Sequence, residues 1–142
     1  MGIENIIFDK NLYAIVIKHN YSSEGIQFFT PNDFSQQLAY MNRPKGYEIQ
    51  PHYHNFVERK VSLTQEVLII KNGHLYVDFY DLNENYKGSI ELITGDIILL
   101  ASGGHGFRMI ENTEIIEVKQ GPYSGELDKT RFNSKINTYD KF

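Results

Sequence analysis

The sequence predicts an all-β domain, and three observations carry that expectation. Apolar and β-branched residues come in short alternating runs, these runs are broken by Gly, Asn, Asp and Pro, and no long stretch repeats at the helical period. Many short strands joined by tight turns suggest a sandwich or a closed barrel. Taken in chain order, the expected strands are 12–19, 25–29, 35–42, 47–54, 64–71, 75–81, 89–93, 96–100, 107–110 and 114–120. The turns between them fall at NRPKG, KNG, NENYKG, TGD, SGG and ENT, which hold the residues that tolerate left-handed or fixed backbone angles. Asn72-Gly73, between two apolar runs, is a hairpin signal. The polar, aperiodic tail after Pro122 is expected to form one helical turn or an arm.

Composition narrows the function classes. A chain of 142 residues, 23% charged and 41% hydrophobic, is expected to be one domain over 1–142, with a barrel over 12–120 and a tail over 123–142. The net charge of −4 and the lack of any Lys/Arg cluster argue against a nucleic-acid or anionic-membrane partner and favour a small polar molecule. With no cysteine, any metal must be held by His, Asp or Glu. The start, MGIENIIFDK, has no apolar run of signal-peptide length, so the expected location is cytoplasmic. The runs AIVI and VLII are apolar on both faces, and a homodimer would cover the second one.

GYEIQPHYHN, Gly46 to Asn55, concentrates the polar chemistry. On a strand over 47–54, Glu48, Gln50, His52 and His54 would share one face. Two imidazoles at i and i+2 can chelate one ion, and the same face could equally be a solvated one. Glu66 heads the apolar run EVLIIKNG, and His105 follows a Gly-rich corner in GDIILLASGGHGF. His19 and His74, at a strand end and beside a turn, read as exposed. Tyr76, Tyr80, Tyr123 and the Phe28-Phe29 pair read as core or rim aromatics.

These segments resemble the cupin superfamily, whose fold is a double-stranded β-helix, or jelly-roll, barrel. Its first motif is Gly, five residues, His-x-His, a short spacer, Glu, six residues, Gly; here Gly46 precedes His52-Tyr53-His54 by five residues and Glu66 precedes Gly73 by six. The second motif matches Gly95 to His105 loosely, because Ala101 stands in place of the family's proline and His105 comes one residue early. The position where the family often has Asn is Met109. The resemblance covers residues 46–119. It implies one divalent ion, Fe, Mn, Ni or Zn, held by His52, His54, Glu66 and His105. Eleven residues separate His54 from Glu66, more than the family's usual spacer, and Glu58 stands at the short spacing as the alternative carboxylate.

Around that site, the alternation of 114–120 puts Ile115, Glu117 and Lys119 on one face. Glu117 or Lys119 could therefore serve as acid or base beside a metal if that face lines the interior. Gln50, Arg59 and Arg108 are candidates for substrate contacts. The resemblance favours a metal-dependent isomerase or epimerase acting on a carbohydrate or nucleotide-sugar. An iron-dependent dioxygenase and a non-catalytic metabolite sensor are the alternatives.

Overall fold

The structure is a computed structural model that describes residues 2–136, so the part of the tail over 137–142 lies outside the described residues. It is all-β, with no α-helix among them. The strands are β1 (Ile3–Phe8), β2 (Asn11–Ile17), β3 (Gly25–Phe28), β4 (Ala39–Asn42), β5 (Glu66–Asn72), β6 (His74–Tyr80), β7 (Tyr86–Ile93), β8 (Ile97–Leu100), β9 (Gly104–Met109) and β10 (Glu114–Lys119). One 3-10 turn, Gly125–Asp128, follows them in the tail. No helix of the described residues is long and apolar enough to cross a membrane.

The chain divides into two compact units, Ser22–Leu63 and the rest. The larger unit holds a five-stranded antiparallel sheet, in the order β1-β2-β8-β5-β10, and a three-stranded one, β7-β6-β9. Val16, Leu68, Ile70, Ile98 and Leu100 of the first sheet share one buried cluster with Leu75, Val77, Phe79 and Leu92 of the second. This is the arrangement of a β-sandwich, since alternate residues from two sheets fill one interior. The sheets do not close into a barrel among the described residues.

The connections explain the sandwich. The chain passes from one sheet to the other between β5 and β6, β7 and β8, β8 and β9, and β9 and β10, while only β6 and β7 form a hairpin within this stretch. Contrary to the hairpin expected at Asn72-Gly73, β5 and β6 therefore do not pair. Gly73 has φ +124°, and a Cβ there would lie 2.6 Å from Thr113 Cα and 2.8 Å from the Asn112 carbonyl. Its N–H donates to Thr94 Oγ1 at 2.9 Å and its carbonyl accepts from the Thr94 N–H at 3.1 Å. The residue is thus held in a crowded corner between sheets, where only glycine fits.

β1 is a strand that the sequence did not reveal. A bulge between Ile6 and Ile7 breaks its period of two, and its turn to β2 is made by Asp9 (φ 50°) and Lys10 (φ 66°) rather than by glycine. Phe8 pins it to the core, with its ring centroid 5.1 Å from that of Tyr13 and 5.7 Å from that of Phe79. In β2 both faces are buried, for Ile15 is fully enclosed like Ala14 and Val16. The single chain already covers that strand, while Ile116 and Val118 of β10, like Ile7 of β1, stay exposed on the larger sheet.

Asp96, fully buried, closes the β7–β8 corner. It accepts from Lys18 Nζ at 2.9 Å and from the N–H groups of Ile93 and His19 at 2.9 and 2.8 Å. Burial alone would raise its pKa, but these donors hold it below the ordinary value. Such a network fixes the corner far more firmly than an exposed pair like Lys71–Glu114, at 3.6 Å, whose worth is under about 1 kcal/mol.

The smaller unit contains the β3–β4 hairpin. Of the expected strand over 35–42, only Ala39–Asn42 is a strand, because the Gln37 amide donates to the carbonyls of Pro31 and Phe34, both at 2.9 Å, and curls the preceding residues into a loop. The strand expected over 47–54 is absent. Pro51 at its centre has no N–H to give a ladder, and no neighbouring strand pairs with it.

Candidate functional site

β5, β9 and β10 bring three chemically active side chains together. Glu66 opens β5, opposite Lys119 on β10 and Leu100 on β8. His105 sits on β9 opposite Phe79, so it shares the interior face of its sheet. Its Nε2 is 3.9 Å from Glu66 Oε2. Glu117 joins them by a hydrogen bond to the Glu66 carboxyl. Ile115, on the same face of β10 as Glu117 and Lys119, packs against the core.

Environment sets the charge state of each group. Burial pushes the Glu66 carboxyl up to about 7, helped by the hydrogen bond and negative charge of Glu117, while Lys119 and Lys129 work in the opposite direction. His105 is pushed below the usual imidazole value, first by burial and then by the charge of Lys129, with Glu117 partly offsetting both. Near neutral pH the site therefore holds a neutral imidazole beside a carboxyl that gives or takes a proton readily. Such a pair is suited to acid–base chemistry.

These residues line a cleft of about 560 Å³ that runs along Gly104–Arg108 of β9. Among the described residues β9 pairs only with β6, and the cleft lies along it. On the opposite face of β9, Arg108 makes a two-pronged contact with Asp78, Nε to Oδ2 at 2.7 Å and Nη2 to Oδ1 at 2.8 Å. Its guanidinium also lies 4.7 Å above the Tyr76 ring. Arg108 thus stands in the cleft wall, as a substrate-contact residue would, but its fork is engaged by a buried carboxylate that also accepts from Ser89.

The C-terminal arm supplies the remaining wall, through residues such as Asp128, Lys129, Arg131 and Phe132. Thr64 donates a hydrogen bond to Asp128, and Phe132 sets its ring edge-on to Tyr80, with centroids 5.1 Å apart. The Tyr80 hydroxyl lies 3.4 Å from Ser134 Oγ and accepts from the Lys135 N–H at 3.3 Å. Sequence reasoning missed this wall because the tail has no periodicity. It also missed Asp78, although a lone carboxylate inside the apolar run LYVDFYD was a usable signal.

His52, His54, Gln50, Glu58 and Arg59 belong to the smaller unit, where all five are exposed. The His52 and His54 rings are 5.5 Å apart, and His52 Nδ1 lies 2.9 Å from the Gln50 carbonyl. His74, expected to be exposed, is half-buried, with Nε2 3.3 Å from Glu91; His19 is exposed as expected. Among the described residues, no three of His, Asp and Glu are gathered closely enough to hold a metal ion. Glu66 and His105 are chemically fit to be two ligands, because one offers oxygen and the other an unprotonated ring nitrogen. No protein-family model, curated protein or solved structure matches the chain.

Proposed function

We propose that the cleft is an active site for a small polar metabolite of the carbohydrate class, and that the protein is a metal-dependent isomerase or epimerase on a cupin-type framework. The observation that carries this reading is the meeting of Glu66 and His105 at one cleft, two residues that the motif spacing in the sequence had already paired. The repeated crossing between sheets supports a jelly-roll relationship. A divalent ion held by Glu66 and His105 would act as a Lewis acid toward a substrate oxygen. Glu117, exposed and hydrogen-bonded to Glu66, is the residue available to take a proton from bound substrate and return it. Arg108 and Asp78 hold the β9 wall rigid beneath it.

Metal content, measured on protein purified without a nickel column and then equilibrated with each candidate ion, tests the reading. Wild type should take up about one equivalent, and Glu66→Ala and His105→Ala should each lower occupancy at least about tenfold at limiting metal. Glu117→Gln should keep the metal and lose turnover. His52→Ala and His54→Ala ask whether the pair singled out by the sequence belongs to the same ligand set, and Glu58→Ala should leave occupancy unchanged. Uptake that survives both Glu66→Ala and His105→Ala, or a wild type that takes up no ion, refutes the proposal.

A further inference from the structure

We propose that Lys129 is the anion-binding residue of the cleft, so that the metabolite taken there carries a carboxylate or phosphate beside its hydroxyl groups. The inference rests on the reading of the cleft as a substrate site and deepens it.

Three cationic side chains line the cleft: Arg108, Lys129 and Arg131. Two are committed. Arg108 spends its fork on the buried Asp78 carboxylate, and Arg131 is paired with Glu126. Lys129 makes no ion pair among the described residues, though its charge reaches both His105 and Glu66. It is therefore the cleft cation whose partner could be a ligand. An ammonium on a flexible stem suits this task, because it presents a point charge that follows an anionic group.

The surroundings hold Lys129 where it can act. Just before it, the Asp128 side chain accepts a hydrogen bond from Thr64, and the Lys129 N–H itself donates to the Glu126 carbonyl at 3.3 Å. The backbone after it is fixed by Phe132 on Tyr80. A Cβ built on Gly106, which lines the same cleft, meets nothing within 4 Å, so there is open space at that point of β9. Thr130 also stands in the lining. A polyhydroxylated molecule with one charged end matches a cleft that has polar side chains, open space at a glycine and, among the described residues, a single lining cation without an ion pair.

Binding measured by titration with three probes, gluconate, glucose 6-phosphate and glucose, decides the matter. Each titration is followed by amide chemical shifts at 104–108 and 129–132. Wild type should bind at least one anionic probe about tenfold or more tightly than glucose, as a charge-assisted contact requires. Preference for gluconate alone assigns a carboxylate, and preference for glucose 6-phosphate alone assigns a phosphate. Lys129→Met, which keeps the apolar stem, should abolish the preference, and Lys129→Arg should keep most of it; Lys71→Ala, outside the cleft, should not alter it. Equal binding of glucose, no binding of any probe, or a preference undiminished in Lys129→Met overturns the proposal. Metal content of the same samples separates this outcome from failure of the enzymatic reading: Lys129→Met should retain the metal, and an anion preference in a protein that takes up no metal would sink the metal reading alone.

Discussion

Glu66 shows how much one buried carboxyl can shape the behaviour of a fold. It is only 8% exposed and hydrogen-bonded to Glu117, so its pKa of about 7 in the folded chain compares with 4.5 for the ordinary side chain. Between those values the folded state binds more protons than the unfolded one. The contribution is fully present below pH 4.5 and is lost as pH rises through 7, on the order of 3 kcal/mol in metal-free protein. Asp96 has the opposite sign, because its pKa is depressed and its contribution is lost as pH falls. His105, depressed by burial, also has the opposite sign and acts below the ordinary imidazole value, so the Glu66 share is read by difference: in urea unfolding with a chelator present, the stability of wild type relative to Glu66→Gln should decline from pH 5 to pH 7.5. A difference that stays level over this range would contradict the assignment. Glu66 was legible in the sequence because a carboxylate heading an apolar strand asks for a partner. Lys129 was not, because nothing in an aperiodic tail tells which elements it packs beside.

Among the elements, the strands with regular alternation were legible and their pairing was not. β5, β6, β7, β8 and β10 fall where apolar runs bounded by turn residues put them. The Asn72-Gly73 signal is local, however, and the same glycine serves a hairpin or a sheet-to-sheet corner. Thr94 and Thr113, both distant in sequence, decide between the two. The cost of substitution should reflect that tertiary role. Gly73→Ala forces a Cβ to 2.6 Å from backbone at a φ of +124° and should destabilise by about 3 kcal/mol in denaturant unfolding. Gly106→Ala, on β9 with open space and no left-handed angle, should stay within about 0.5 kcal/mol. Equal effects of the two would mean that the corner is not held as described. β1 and 47–54 miss in complementary ways: a bulge and a glycine-free turn hide a real strand, while an alternating pattern around Pro51 imitates one.

At the scale of the whole molecule, the two units differ in how their chain is held. In the larger unit the strands are laced into two sheets over a shared core, and the buried polar groups have partners. In the smaller one, residues 43–63 form no strand or helix, and all of 47–63 is exposed. Apolar side chains take part in that exposure, with Tyr53 86%, Phe56 97% and Leu63 69% accessible. A protease needs several consecutive residues free to be drawn into an extended form, and local opening here costs little because few contacts must break. Brief digestion with trypsin should therefore cut after Lys45, Arg59 or Lys60 before it cuts after Lys18, Lys71, Lys87, Arg108 or Lys119. Intact-mass analysis of early time points reads the order. The sites in β5, β7, β9 and β10 should become accessible only as global unfolding sets in, so their cleavage should slow when a ligand or metal stabilises the larger unit, while cleavage at 45–60 should not. Early cutting after Lys71 or Arg108 in native buffer would show that the two sheets open as readily as the exposed segment, against the hydrogen-bonded ladders that hold them.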